Sequence, residues 1–193
     1  FTKNKTLIFY TNGLLGSRKS QTYSNFNDFM YNLSYWSSWS NGFNIWKSEF
    51  DKIDKNLKLN KLFPHTSLFL TQHQAKLFCI NDNLLFDVQR IPKRGGHNKF
   101  EAFTIEYPSL LDECCKKGHI STKCKKHILF GIMVQFLPSL LFNKYIIRIE
   151  TFDDTGFRNN LKKYYPSYAY WLVLISVLGV PFRLFCRKLK NKR

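Results

Sequence analysis

Apolar positions fall along this chain in several rhythms, and each rhythm predicts a different element. In "KTLIFYTNGLLG" an apolar run ends at Asn12-Gly13, a pairing that favours a tight hairpin turn. Phe26, Phe29, Met30, Leu33 and Trp36 recur at three- and four-residue spacing behind Ser24, which predicts an amphipathic helix with Ser24 as its N-cap. Ile45, Trp46, Phe50, Ile53 and Leu57 predict a second helix of the same kind. From Ser67 the period shortens to three brief apolar runs, with a hairpin turn expected at Asn81-Asp82-Asn83. "IPKRGGHNK" reads as a loop and "KFEAFTIEY" as a strand. The run from Ile128 to Phe142 is interrupted by Gln135 and Pro138. It predicts two strands joined near Pro138-Ser139, with a second membrane helix as the alternative. The expected fold is therefore α+β: a mixed domain with an antiparallel sheet and one or two N-terminal amphipathic helices over residues 1–163. A transmembrane helix at 164–186 and a basic tail at 187–193 follow.

The last of these elements has the clearest pattern. Tyr168 to Cys186 carries a single charge, Arg183, and with Tyr164, Tyr165 and Pro166 it reaches the length of a bilayer core at about 1.5 Å per residue. Tyr164, Tyr165, Tyr168, Tyr170 and Trp171 crowd one end, where amphipathic rings suit the headgroup level. Arg187, Lys188, Lys190, Lys192 and Arg193 crowd the other. Arg183 lies about one turn from that tail, close enough to snorkel, and Pro181 is tolerated near the end of a membrane helix. The anchor residues singled out are Tyr168, Trp171, Pro181 and Arg183. Pro166, Tyr168, Trp171, the aliphatic run and Pro181-Phe182-Arg183 together resemble the last membrane helix of the Transmembrane protein 151 family, with Val180 where that family has Trp. The resemblance covers about thirty residues. It implies a multi-pass membrane protein and no catalytic residues.

Charge narrows the class of partner. Thirty Lys and Arg against 13 Asp and Glu give a formal +17, which favours phosphate, whether of lipid or of nucleic acid. Lys93, Arg94, Lys116, Lys117, Lys123, Lys125 and Lys126 are the candidate contacts. The chain begins with Phe, so sequence upstream of it is expected.

The densest chemical pattern is "CCKKGHISTKCKKH", in which Cys115, His119, Cys124 and His127 offer four metal donors within thirteen residues. A disulfide between Cys115 and Cys124, and unpaired or acylated thiols, compete with zinc, and unpaired thiols are favoured. Asp153-Asp154 reads as a turn rather than a metal-binding acid pair. No catalytic constellation and no cofactor are expected. The functional expectation is a non-enzymatic, membrane-anchored protein whose basic domain binds a lipid head group or a protein; the alternative is a nucleic-acid-binding subunit of an organellar ribonucleoprotein. The positive tail places the C-terminus in the cytosol. Two sequons, at Asn4 and Asn32, fit a lumenal domain.

Overall fold

The computed structural model describes residues 5–86 and 98–190, with side chains up to Cys186. In chain order the elements are β1 (Leu7–Tyr10), β2 (Ser20–Tyr23), α1 (Phe26–Leu33), a single turn α2 (Lys47–Phe50), α3 (Pro64–Leu70) and β3 (Phe78–Asn81). Two long helices follow, α4 over residues 99–116 and α5 over Thr122–Ile146. The chain ends in α6 (Phe157–Tyr164), α7 (Ala169–Val177) and α8 (Val180–Lys190). The α+β class holds, with a small sheet and a majority of helix. The molecule divides into two compact units, Phe1–Gln89 with Ser109–Ile128 and Arg90–Pro108 with Leu129–Arg193.

The first unit is built on a three-stranded sheet in the order β1-β3-β2. The sheet is mixed rather than antiparallel, because β3 pairs parallel to β1 (Leu7 opposite Phe78) and antiparallel to β2 (Ser20 opposite Asn81). The hairpin predicted at Asn12-Gly13 does not form, since β3 lies between the two strands it was to join. Asn12 and Gly13 do take the positive φ that a turn there needs, 50° and 76°. Helix α1 begins one residue later than predicted, behind Asn25, whose side chain accepts from the Asp28 N–H at 2.8 Å. Four of the five residues predicted for its face, Phe26, Phe29, Met30 and Leu33, are buried on it, while Trp36 lies beyond its end in the turn Ser34–Ser38 and is half-buried. Phe29 stacks on Phe78 of β3 at 5.2 Å and Phe9 meets Phe69 edge-on at 5.4 Å, so rings from one helix, α3 and two strands form the core. The second predicted helix shrinks to the turn Lys47–Phe50. Beyond it the Asp54 carboxylate accepts from the Asn56 N–H at 2.9 Å, a local bond that competes with the helix ladder.

The second unit is helical where strands were predicted. "KFEAFTIEY" opens α4: Asn98 caps it by accepting from the Glu101 N–H at 2.8 Å, and Phe100, Thr104, Tyr107 and Leu111 are all buried at helical spacing. The two strands predicted around Pro138 are one continuous helix, α5, with Ile132, Met133, Leu137 and Leu140 buried. Pro138 lacks an N–H and its ring crowds the preceding turn, a conflict that would normally break a helix. Here the turn Ile132–Phe136 is wound as a π-helix, with the Leu137 N–H reaching back to the Ile132 carbonyl. The same arrangement occurs in α4, where the π-helical turn Ala102–Glu106 precedes Pro108 by the same offset. Around these helices pack α6 and α7 through Phe157, Leu161, Ala169 and Val173.

Candidate functional site: an exposed apolar stripe on a broken helix

Helix α7 has no polar face. Ala169 and Val173 are buried against the unit, and its outer surface carries Trp171 and Ile175. A surface helix of a water-facing protein ordinarily turns charged residues outward. The apolar surface continues past the end of α7. Tyr168, Trp171, Ile175, Leu178, Phe182 and Phe185 alternate at spacings of three and four residues, and each is between 58% and 81% exposed. Together they form one stripe along α7 and α8, which meet at a 53° bend.

The bend has two local causes. Pro181 cannot donate to the Val177 carbonyl four residues back. Just before it the backbone tightens, with Leu178 N–H to Ile175 O at 3.1 Å and Gly179 N–H to Ser176 O at 3.2 Å. Arg183 then reaches inward. Its Nη1 donates to the Val134 carbonyl of α5 and its Nη2 to the Ser176 carbonyl at 3.4 Å. Val134 lies four residues before Pro138, so its carbonyl is one that Pro138 cannot serve. The expected snorkelling of Arg183 toward the tail is therefore not what the side chain does. The other three anchor residues, Tyr168, Trp171 and Pro181, are exposed. A basic residue not singled out from the sequence, Arg158, lies 5.2 Å from the Tyr170 ring centre and 6.0 Å from that of Trp171. On the same short helix Lys162 and Lys163 are exposed.

Among the described residues α5 alone is a single helix long and apolar enough to cross a membrane, and Ala169–Val177 with Val180–Cys186 pass the same test taken together. The two differ in how their surfaces are used. Half of the apolar window of α5 is buried inside the protein, and Gln135 near its midpoint is exposed. Ile132, Leu137 and Leu140 of α5 face the core while Phe130, Tyr145 and Ile146 near its ends are exposed, whereas α7 and α8 expose large apolar side chains along their whole length.

The four candidate zinc donors do not converge. His119 stacks on His73 with ring centres 3.5 Å apart, and His127 stacks on Tyr31 at 4.0 Å. Cys124 is buried with its thiol 3.6 Å from the Asn27 carbonyl, and Cys115 contacts Thr122 at 3.7 Å. Among the described residues no three His, Cys, Asp or Glu side chains are grouped to hold a metal, and all five cysteines are free thiols. Burial pushes the neighbouring Cys114 thiol up to about 12, which leaves it protonated and inert.

Within the basic run, Lys116 and Lys125 both pair with Asp112, at 2.9 and 2.7 Å. Lys117, Lys123 and Lys126 are exposed. Lys93, Arg94 and the Asn4 sequon lie outside the described residues. Asn32 is on α1, its side chain donating to the Asp28 carbonyl at 2.8 Å.

Asp82 also escaped the sequence reading, which gave it to a hairpin turn. It sits beyond the end of β3, fully buried, with its carboxylate inside the loop that leaves β1. Thr11, Leu15, Ser17 and Arg18 all donate to it. Asn12 ties the same loop to residues 85 and 86, accepting from the Leu85 N–H at 2.8 Å and donating to the Phe86 carbonyl at 2.9 Å. The carboxylate thus takes up the backbone donors of the loop, which acts as a structural knot. A scan against protein-family models, a search of curated proteins and a search of solved structures each give no match to this chain.

Proposed function

We propose that the chain is a non-enzymatic membrane-bound protein that inserts the stripe of α7 and α8 into a bilayer and holds anionic lipid head groups with its basic residues. The observation that carries this reading is the stripe itself, six large side chains spaced three and four residues apart across the bend between α7 and α8 and open to solvent. A contiguous apolar surface of that kind marks an interaction site. A protein partner would favour a polar border. Here the neighbouring positions Leu172, Leu174 and Val177 are apolar as well, which suits hydrocarbon better. The border that does exist is aromatic and basic: Tyr168, Trp171 and Arg158 at one end, and in sequence five Lys or Arg at the other. Rings at the headgroup level beside cations are the arrangement anionic phospholipid attracts, at about 1 kcal/mol per basic residue near the surface. The formal charge of +17 acts in the same direction at longer range. The resemblance of residues 166–183 to the last helix of the Transmembrane protein 151 family directs the same segment to the membrane.

Flotation of the full chain with sealed vesicles tests this. Binding is expected to vesicles containing phosphatidylserine, with weaker binding to phosphatidylcholine alone. Ile175→Ser with Phe182→Ser removes two side chains each worth about 1.5–3 kcal/mol when buried, so vesicle partitioning should fall at least tenfold. Failure of the intact chain to float, or a salt-sensitive affinity for single-stranded RNA that vesicles do not compete, would reject the proposal in favour of the nucleic-acid reading.

A further inference from the structure

We infer that residues 169–186 enter a single leaflet as a bent wedge and return to the side they came from, and that Arg183 is the positioning residue that holds the bend. This rests on the membrane reading above and concerns how the segment lies once bound.

Reach is the first argument. At about 1.5 Å per residue, nine residues of α7 and seven of α8 measure about 13 and 10 Å. With 53° between their axes the chain returns when the pair lies shallow with the bend deepest, each arm tilted about 26° from the membrane plane, which sets the bend about 6 Å below the ends against a hydrocarbon core of about 30 Å. Straightened, the same segment would come close to spanning. The bend therefore decides between crossing and returning.

The causes of the bend give the second argument. Pro181 removes one backbone bond at the break, and Gly179, which is exposed there, leaves the outer side of the bend uncrowded. Neither fixes an angle. Arg183 does, because one guanidinium holds carbonyls on two separate segments, Ser176 before the break and Val134 on α5. Swinging α8 into line with α7 would withdraw those donors from both carbonyls. Within apolar surroundings a guanidinium is stable only while its N–H groups are engaged, so the contact and the bend sustain each other. The stripe then faces away from Arg183 along its whole length, which is the geometry of a wedge whose outer surface is lipid and whose inner surface is protein.

The consequence is a topology opposite to the one charge alone suggests. The chain before Tyr168 and the basic tail after Cys186 lie on the same side of the membrane. The tail then adds its cations to the leaflet that Arg158 and Lys162 also face.

The test uses the full chain bound to sealed phosphatidylserine-containing vesicles. Cys115 and Cys186, the two cysteines that are not fully buried, are changed to Ser. Ser167→Cys and Lys190→Cys are then introduced singly and exposed to a membrane-impermeant maleimide added outside. Equal labelling of the two positions is expected. Labelling of Ser167→Cys with protection of Lys190→Cys overturns the wedge and leaves membrane binding intact. Absence of vesicle-bound protein instead overturns the reading beneath it. For Arg183, Arg183→Ala combined with Pro181→Ala removes both restraints and should cut labelling of Lys190→Cys at least about threefold as the straightened helix crosses. Arg183→Lys in the Pro181→Ala background keeps the charge on a single donor nitrogen without the fork that spans both carbonyls, and is expected to restore labelling in part. Unchanged labelling in Arg183→Ala with Pro181→Ala, with the protein still vesicle-bound, refutes the role given to Arg183.

Discussion

Asp82→Asn isolates one carboxylate at nearly constant volume. In the native protein Oδ1 accepts from the Thr11 hydroxyl at 2.5 Å and the Leu15 N–H at 3.1 Å. Oδ2 accepts from the Ser17 N–H at 2.8 Å, the Ser17 hydroxyl at 3.0 Å and the Arg18 N–H at 3.0 Å. An amide has only one acceptor oxygen. If that oxygen takes the Oδ2 place, the new NH2 confronts the Leu15 N–H, which cannot turn away, while the Thr11 hydroxyl can rotate to accept. The reverse orientation confronts two fixed N–H groups and is worse. The better orientation therefore orphans one N–H in a buried loop, at about 1–3 kcal/mol, and converts the remaining bonds from charged to neutral acceptors, each roughly half as strong. A loss of about 3–5 kcal/mol is expected, a large share of the stability of an ordinary domain. Urea unfolding measures it as a shift in midpoint, and hydrogen exchange at Leu15 and Ser17 locates it.

The same carboxylate predicts an acid limb. Burial works to raise its pKa, but the bonds from Thr11, Arg18, Leu15 and Ser17 prevail and hold it below the usual carboxylate value. Its stabilisation is present above about pH 4 and is lost as the pH falls through the lower folded value. Asp82→Asn should flatten that limb. A midpoint shift equivalent to less than about 1 kcal/mol at unchanged slope would refute the reasoning.

Three further outcomes are expected. Tyr165→Phe removes the hydroxyl that donates to the Phe103 carbonyl at 2.7 Å, and should cost about 1–3 kcal/mol in thermal or urea unfolding. Gly42→Ala would place a methyl 2.0 Å from the ring of Phe9, which is fully buried among other aromatics, so about 1–3 kcal/mol or more should be lost even though the backbone there tolerates alanine. Burial, then His73 and Lys117, hold His119 below its ordinary value. Its native state binds fewer protons than the unfolded chain, so stability should fall as the pH drops below about 6.5, and His119→Phe should reduce that dependence in a pH series of melting temperatures, with His127, which burial also holds low, supplying the remainder.

What the sequence made legible was local. The buried face of α1 followed from its spacing, because Phe26, Phe29, Met30 and Leu33 meet a sheet whatever the sheet's topology. The stripe on α7 and α8 was legible as an apolar run with aromatic and basic borders, but not as a bent element, since the guanidinium that holds the bend takes a carbonyl some fifty residues away. Strand order was not legible either. An apolar run ending in Asn-Gly promises a hairpin, and only the long-range choice of β3 as the central strand cancels it. Asp82 looked like a turn residue because its partners, Thr11 to Arg18, are more than sixty positions away.

The alternation in "KFEAFTIEY" suggested a strand in α4, whereas the misreading of α5 came from Pro138, and that one bears on the function. In both helices a proline stands where the rule for regular helices predicts a break, and in both a π-helical turn ends two residues earlier. The wider turn relieves the clash but cannot supply the missing N–H. Carbonyls an N–H at position 108 or 138 would serve are left to other donors. For Pro138 that donor comes from a C-terminal segment, because the Arg183 guanidinium serves Val134, four residues back. In α4 the Tyr165 hydroxyl serves Phe103, five residues before Pro108 and next to the carbonyl that Pro108 leaves unserved. Tyr165 thus ties the approach to α7 to one core helix, while Arg183 ties α8 beyond the bend to an acceptor that Pro138 leaves open. On this reading Pro138 contributes to holding the apolar stripe at a defined angle on the surface of the unit. A rule that treats Pro138 only as a breaker assigns two strands to α5 and misses the docking of Arg183.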